Sequence, residues 1–297
     1  MKIKYIKLVP LVVVFLGIVF SLYLVWQIKG EIFFSGDGGV KALLSKQFAV
    51  GRWGFDLDLP GEEWIRSLWQ DGLYPFEPPF VYQRADKYYI TFPIWFSLIS
   101  APFYKLLDFR GFYVVPLLFT WSIWLGFYCL CRQLKIGSII TSFSLFLLIF
   151  ASPLSLYSAM YWEHTLAVAL AFLGIATILF PASDKLTTSK ALLGGFSIGL
   201  SVWFRSEFLG FVFICGIVFV VMLALKANQQ NINVILGMAS SLLILFIINQ
   251  IIYGNFLGMH SAQIVENFSL LDRLIISLKN LNNLSLNFIQ TFPSSIF

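Results

Sequence analysis

Asp37 is the first residue of this chain whose type and surroundings suit chemistry. It lies in a short segment, residues 33–39, that contains three glycines and closely follows a long apolar run. Glycines leave the backbone open to close approach by a substrate. The alternative is structural, because Ser35 or Asp37 could equally cap a helix that begins near Gly38. A cap alone does not explain the glycines, and we therefore take Asp37 as a candidate catalytic residue.

Glu163 and His164 form a second candidate pair, at the junction of two apolar segments. A carboxylate beside an imidazole can bind a divalent cation or a sugar hydroxyl. The alternative is an ordinary membrane interface, where Tyr161 and Trp162 are aromatic anchors and neighbouring polar residues are common. Both interpretations stay open. Any divalent metal site would draw on Asp37, Glu163 and His164, and no other cofactor is indicated.

Arg205 and Glu207 separate two apolar arms of the chain. Residues two apart do not face each other on one helix, although a turn can join them. Charged groups between apolar arms are costly without partners, and the planar guanidinium of arginine suits a phosphate. The alternative is a contact that stabilises a helical hairpin. We take both residues as candidates for substrate binding.

Two further residues are candidates for substrate binding. His260 follows a long apolar segment, although a lone histidine in a loop is usually solvated. Arg84 belongs to a set of basic residues in a polar region, any of which could approach a lipid phosphate. The sequence does not choose among the members of that set, which are Arg52, Arg66, Arg84 and Lys87.

The composition identifies lipid as the solvent for most of the chain. Of its 297 residues, 59% are hydrophobic and only 12% are charged, a balance that no soluble globular domain needs. The three cysteines lie in apolar segments, without the spacing of a disulfide framework or a zinc site, and we assign them to packing. The chain shows neither a phosphate-binding glycine loop nor a basic nucleic-acid patch, so we expect no nucleic-acid partner.

The elements that must position the candidate residues are transmembrane helices. The first apolar run is too long for a signal peptide, since about 21 residues rise about 31 Å as a helix and match a bilayer core. We predict an all-α integral membrane protein, in which about seven membrane-inserted helices lie at residues 8–28, 111–131, 136–157, 165–181, 191–204, 208–225 and 232–253.

The apolar segment at residues 91–107 decides the orientation of everything after it. It contains Pro93 and Pro102. If it lies on the membrane surface, the basic residues near the short loops all face the cytoplasm, as the positive-inside rule requires. We therefore predict an interfacial or re-entrant segment on the outer face, a cytoplasmic N-terminus and a multi-pass protein of the plasma membrane.

Residues 30–110 are predicted to form one large extracytoplasmic loop. This region holds 10 of the 15 acidic residues. Apolar residues at helical spacing within residues 38–48, and again around Trp64, predict amphipathic helices suited to the bilayer surface. Residues 80–90 are predicted to return as an extended strand.

The order and sidedness of these features resemble the GT-C class of polytopic glycosyltransferases. That class includes protein O-mannosyltransferases, aminoarabinose transferases and oligosaccharyltransferases. The first-loop acid lies in residues 35–39, the juxtamembrane stretch in residues 92–107 and the second-loop acid in residues 162–164. Residues 204–207 and 253–255 are similar to recurrent elements of bacterial members. The resemblance implies a GT-C-like helical bundle.

The resemblance also implies an activity. A sugar carried by a polyprenyl phosphate would be transferred, on the outer face of the membrane, to a glycan, lipid or protein acceptor. Asp37 would be the general base, while Glu163, assisted by His164, would orient the acceptor or hold a divalent ion. Arg205 would contact the lipid phosphate.

Two departures from the class keep alternatives open. Many members carry aspartate where this chain has Glu163, which puts metal coordination in question. Members also continue into further spans, so we interpret the chain as a fragment, a shortened gene product or a minimal member. The alternatives to an enzyme are a transporter, although no inverted repeat is visible, and a lipid-binding vestigial member of the class.

Overall fold

The structure is a computed structural model of the chain. It describes residues 8–30, 32–58, 78–84, 87–181, 186–225, 228–259 and 275–283. Two compact units are distinguished, Met1–His260 and Ser261–Phe297. The second unit contains a helix at residues 275–283. The first unit holds all the other elements.

The first unit is mostly helical, as the composition predicts. Two short antiparallel strands, β1 (Val81–Arg84) and β2 (Lys87–Ile90), pair in register Val81 to Ile90. The extended conformation predicted for residues 80–90 is therefore present, but as two paired strands and not as one. The helices in chain order are α1 (Val9–Gln27), α2 (Gly36–Ala49), α3 (Ile94–Leu107), α4 (Val114–Gln133), α5 (Ser138–Phe150), α6 (Leu154–Ser158), α7 (His164–Leu179), α8 (Thr188–Leu200), α9 (Phe208–Leu225) and α10 (Gln229–Tyr253).

Four helical segments among the described residues are long and apolar enough to cross a membrane. They are Val9–Gln27, Ile94–Gln133, Phe208–Leu225 and Gln229–Tyr253, whereas Ser138–Phe150 and His164–Leu179 are apolar but shorter. Large apolar side chains on these helices point away from the protein, as expected where lipid is the solvent. A bilayer environment is therefore supported, and the seven predicted insertions stay a prediction.

Helices α3 and α4 are separated by a sharp change of direction. A 3-10 segment, Asp108–Tyr113, lies between them, and Asp108 has a left-handed φ of 49°. A Cβ atom placed on Gly111 would lie 2.0 Å from the carbonyl oxygen of Phe103. Because the chain folds back so tightly, residues 94–133 form two helices rather than one continuous span.

The helix predicted for residues 136–157 is interrupted. Helix α5 ends at Phe150, and the five-residue helix α6 begins after Pro153. Proline has no backbone N–H and clashes with the preceding turn, so it begins a helix more readily than it continues one. Residues 136–157 therefore do not form the single continuous helix that we predicted.

The amphipathic helix predicted at residues 38–48 is present as α2, but its surroundings differ from the prediction. Most of its residues are buried, including Val40, Leu44 and Phe48, and Ser45 donates a hydrogen bond to the carbonyl oxygen of Ser97 on α3. Helix α2 is therefore packed inside the protein. The second amphipathic turn, around Trp64, lies outside the described residues.

Glycines allow α8 and α10 to approach each other closely. A Cβ atom on Gly195 would lie 2.1 Å from the carbonyl oxygen of Val234, and one on Gly237 would lie 2.2 Å from that of Leu192. Small residues at helix crossings are a common means of packing in membranes, where lipid tails give no hydrophobic drive for association. In the turn that follows α8 and carries Arg205, the indole of Trp203 donates a hydrogen bond to the carbonyl oxygen of Ser241 on α10.

We expect Gly195→Ala to destabilise the protein by roughly 1–3 kcal/mol, because the new methyl group overlaps the backbone of α10. Gly216→Ala on α9 is the matched control, since a Cβ atom there meets nothing within 4 Å. Thermal unfolding of both variants in detergent measures the difference. Equal melting temperatures for the two variants would contradict the packing role of Gly195.

Candidate functional site

Asp37 lies in the first turn of α2, where the helix dipole favours a carboxylate. Its side chain is 15% exposed. It accepts hydrogen bonds from the hydroxyl of Ser35, from Trp162 Nε1 at 3.3 Å and from Lys41 Nζ at 3.2 Å. Ser35 is the N-cap residue, but its hydroxyl makes no side-chain capping bond. The Asp37 carboxylate instead accepts a hydrogen bond from the Gly38 backbone, so the capping interpretation fails for Ser35 and stays open for Asp37.

The ionisation of Asp37 reflects two opposing effects. Burial raises the pKa of the carboxyl group, but the positive charge of Lys41 and the hydrogen bonds from Ser35, Lys41 and the Gly38 backbone outweigh burial. They hold the pKa of Asp37 below its usual value of 3.8. Asp37 is therefore a carboxylate at neutral pH, with one edge open to solvent.

Lys41 is the residue at the centre of the site. It lies one turn after Asp37 on α2, and its side chain is completely buried. Its ammonium group lies 2.6 Å from Glu163 Oε2 and 4.3 Å from the centre of the Phe92 ring. Sequence reasoning missed Lys41. The signal available was its spacing of four residues from Asp37, which places both side chains on one face of a helix.

Hydrogen bonds fasten the backbone of Lys41 between α2 and α3. The hydroxyl group of Ser97 donates to the carbonyl oxygen of Lys41 at 3.0 Å, and the hydroxyl oxygen of Ser45 lies 3.0 Å from the same carbonyl oxygen. Ser45 also shares a 2.6 Å hydrogen bond with the hydroxyl of Tyr161, which precedes Glu163 by two residues. The same packing therefore positions Lys41 and the segment that carries Glu163.

Glu163 precedes α7 and is almost completely buried, with a side chain 2% exposed. One carboxylate oxygen faces Lys41, and the other lies 3.4 Å from Arg205 Nη1. A buried charge requires partners of opposite sign. Glu163 has two such partners, from two separate segments of the chain.

Arg205 follows the 3-10 turn Ser201–Trp203, between α8 and α9. Besides Glu163 it contacts Glu207, with Nη2 2.6 Å from Glu207 Oε1. A turn therefore joins Arg205 and Glu207, as their position between two apolar arms allows. The structure brings the hairpin turn to the same end of the bundle as Asp37 and Glu163.

His164 lies among aromatic rings at the edge of this charged cluster. The centres of the Tyr157 and Trp162 rings are 5.0 Å and 4.8 Å from that of His164. Its Nδ1 atom is 3.4 Å from Arg205 Nη1. Because a guanidinium only donates, Nδ1 accepts this bond and the proton of the neutral ring is on Nε2.

Arg84 is not part of this cluster. Arg84 packs over the left-handed Gly254 that ends α10, since a Cβ atom on Gly254 would lie 3.0 Å from Arg84 Nη2. A cation suits the C-terminal end of a helix, so Arg84 has a structural role there. His260 lies outside the described residues.

The donor atoms of Asp37, Glu163 and His164 do not fit a divalent metal ion. The part of the chain that the structure describes has no group of three or more His, Cys, Asp or Glu side chains arranged to hold one. The ammonium of Lys41 lies between the two carboxylates instead. The cluster thus combines two cations, Lys41 and Arg205, with three carboxylates.

We expect Lys41→Met to destabilise the protein by about 3–5 kcal/mol, because it leaves the buried carboxylate of Glu163 without its nearest cation. Arg52→Met is the control, since it removes a solvent-exposed ion pair with Asp58 that contributes about 0–1 kcal/mol. Unfolding of the detergent-solubilised protein measures both losses. A loss for Lys41→Met as small as that for Arg52→Met would show that the buried pair is dispensable.

Stability should depend on the charge of His164, which precedes the predicted span at residues 165–181. Burial, followed by the neighbouring Arg205, lowers the pKa of His164 from 6.5 to about 4. The unfolded chain therefore binds a proton at a higher pH than the folded chain does, and stability falls as the pH drops from 6.5 towards 4. We expect His164→Gln to flatten the dependence of melting temperature on pH in this window. An unchanged slope would contradict a buried, neutral His164.

Comparison with known proteins gives no match: no protein-family model, no curated protein and no solved structure is similar to this chain. The resemblance to the GT-C class therefore remains an interpretation of the residues. What the chain does must be inferred from the chemistry of the cluster around Lys41 and from its position at the end of apolar helices.

Proposed function

We propose that this protein is a glycosyltransferase that moves a sugar from a polyprenyl-phosphate donor to an acceptor on the extracytoplasmic face of the plasma membrane. The observation that carries the proposal is the charged cluster itself. Three distant segments of a chain with only 12% charged residues bring their charges together around Asp37, a carboxylate that solvent can reach. Such a concentration of buried charge in a lipid-embedded protein indicates a functional site.

Asp37 supplies the base in the proposed reaction. The acceptor hydroxyl or amine attacks the anomeric carbon of the sugar, and its proton passes to the carboxylate of Asp37. The bond between the anomeric carbon and the phosphate oxygen breaks, and its electron pair leaves with the lipid phosphate. Arg205, whose side chain is 24% exposed, stabilises the negative charge of that leaving group.

The aromatic rings beside Asp37 suit a sugar. Tyr157, Trp162 and His164 are partly buried and lie within ring-contact distance of one another. Flat rings of this kind combine an apolar face with polar edges. The Nε2–H of His164 is a donor for a sugar hydroxyl, and Glu163 keeps Arg205 in place.

An apolar cleft between α9 and α10 suits the polyprenyl chain. It has a volume of about 750 Å³ and is lined by Leu209, Gly216, Met238 and further apolar residues of the two helices. Leu209 follows Glu207 by two residues, so one end of the cleft adjoins the turn that carries Arg205. A lipid tail in the cleft and its phosphate at Arg205 form one continuous site for the donor.

The test of the proposal is transfer from radiolabelled polyprenyl-phosphate sugars in membranes that contain the chain. We expect Asp37→Asn to lower the rate roughly 100-fold or more, because the amide cannot accept the proton. Asp58→Asn is the control, since Asp58 is exposed and pairs with Arg52 at a distance from the cluster.

Equal transfer by the wild type and Asp37→Asn would remove Asp37 from the mechanism. If the wild type binds the donor but no label reaches any acceptor, the protein is a lipid-binding protein without turnover. Loss of transfer in Asp58→Asn as well would indicate a general disturbance of the loop.

A further inference from the structure

The space between Asp37 and Glu163 is where a divalent cation would bridge the two carboxylates of the site. Carboxylate oxygens bind such ions at about 2.0–2.6 Å. In this protein Lys41 Nζ takes that position, 2.6 Å from Glu163 Oε2 and 3.2 Å from Asp37 Oδ2. A side chain of the protein therefore supplies the positive charge that the two carboxylates share.

The ammonium group of Lys41 is fully surrounded by partners. Its three N–H bonds face three groups, which are the carboxylates of Asp37 and Glu163 and the ring of Phe92. The side chain has no exposed surface, and a hydrogen bond from the Ser97 hydroxyl fixes its backbone carbonyl. Lys41 has no solvent to move into, and it remains between the carboxylates.

The second oxygen of each carboxylate also faces a donor. Asp37 Oδ1 accepts from Ser35 and from Trp162, and Glu163 Oε1 faces Arg205. A metal ion bound at these oxygens would lie beside the positive charges of Lys41 and Arg205, and repulsion between like charges opposes that arrangement.

We infer that Lys41 is the resident cation of the site: it orients Asp37 and Glu163 and occupies the place of a divalent metal ion, so that the site works without one. This inference rests on the proposed transferase function for its consequence in catalysis. Its structural content, a cation site filled by Lys41, is independent of that function. Lys41 is a positioning residue, because it acts through the two carboxylates.

Binding of terbium(III) to the purified protein tests whether Lys41 fills the cation site. Trp162 Nε1 lies 3.3 Å from Asp37 Oδ1. Excitation of this tryptophan would therefore sensitise the luminescence of a terbium ion held by Asp37 and Glu163. We expect wild-type luminescence to equal that of Glu163→Gln. In Lys41→Ala the carboxylates of Asp37 and Glu163 lose their shared ammonium, and we expect this variant to gain luminescence. The double variant Lys41→Ala/Glu163→Gln should lose that gain.

Wild-type luminescence that Glu163→Gln abolishes would overturn the inference, because the native site would then hold a metal ion. No gain in a folded Lys41→Ala, with folding checked by circular dichroism and gel filtration, would overturn it as well. The wild-type comparison remains decisive if Lys41→Ala does not fold, since it uses only the wild type and Glu163→Gln, and the folding of Glu163→Gln is checked in the same way.

Transfer by the wild type in the presence of a chelator tests the consequence for catalysis. We expect the rate with EDTA to stay within about twofold of the rate with added Mn²⁺. A loss of about tenfold or more with EDTA, restored by Mn²⁺, would overturn the metal-independent site. If no transfer occurs under either condition, the proposed function fails, and the terbium experiment still decides the role of Lys41.

Discussion

The buried ion pair between Lys41 and Glu163 is the interaction on which the rest of the site depends. Neither side chain reaches solvent, and each would be strongly unfavourable in an apolar interior without the other. Lys41 in turn orients Asp37, and Glu163 orients Arg205. Through these contacts the pair connects α2, the segment before α7 and the turn after α8. The open edge of Asp37 and the guanidinium of Arg205 are thereby held at one end of the bundle.

A buried pair of this kind is a poor means of stabilising a fold, since well-packed apolar residues of similar volume often do so better. Under the proposed function, the pair is better explained by the groups that it positions before a substrate binds. The carboxylate of Asp37 is kept ionised, His164 is kept neutral, and Arg205 is held by two carboxylates with part of its surface exposed. Groups arranged before a substrate arrives need no reorganisation when charge develops during a reaction.

Much of the helical framework could be predicted from the sequence. Helix α9 has the predicted bounds, residues 208–225, because charged residues close an uninterrupted apolar run at both ends. The run at residues 136–157 misled the prediction, because its hydropathy is continuous across the break at Pro153. The hydropathy of a segment indicates whether lipid or water surrounds it. A proline indicates where the backbone of that segment stops being helical.

The candidate site could be predicted only in part, because local patterns show charges at the ends of apolar segments but not long-range packing. Asp37, Glu163 and Arg205 stand out as charges at the ends of apolar segments, and the structure brings them together. Lys41 was missed because a lysine within an amphipathic pattern suggests a solvated face. Its burial arises from packing between α2 and α3 and from a partner 122 residues away, and no local pattern carries that information. Arg84 was included for its charge, yet its position follows from the hairpin that packs near Gly254.

The long separation between Lys41 and Glu163 has a consequence for biogenesis. Membrane proteins are made and inserted from the N-terminus, so Lys41 is in place before the ribosome has produced its partner. Until then Asp37, one turn earlier on α2, is its acidic partner in the cluster, and full burial of the ammonium awaits Glu163, because a buried charge without enough partners is costly. The cluster closes only when Arg205 has also been made. A chain that arrests before this point leaves Lys41 without Glu163, its nearest acidic partner.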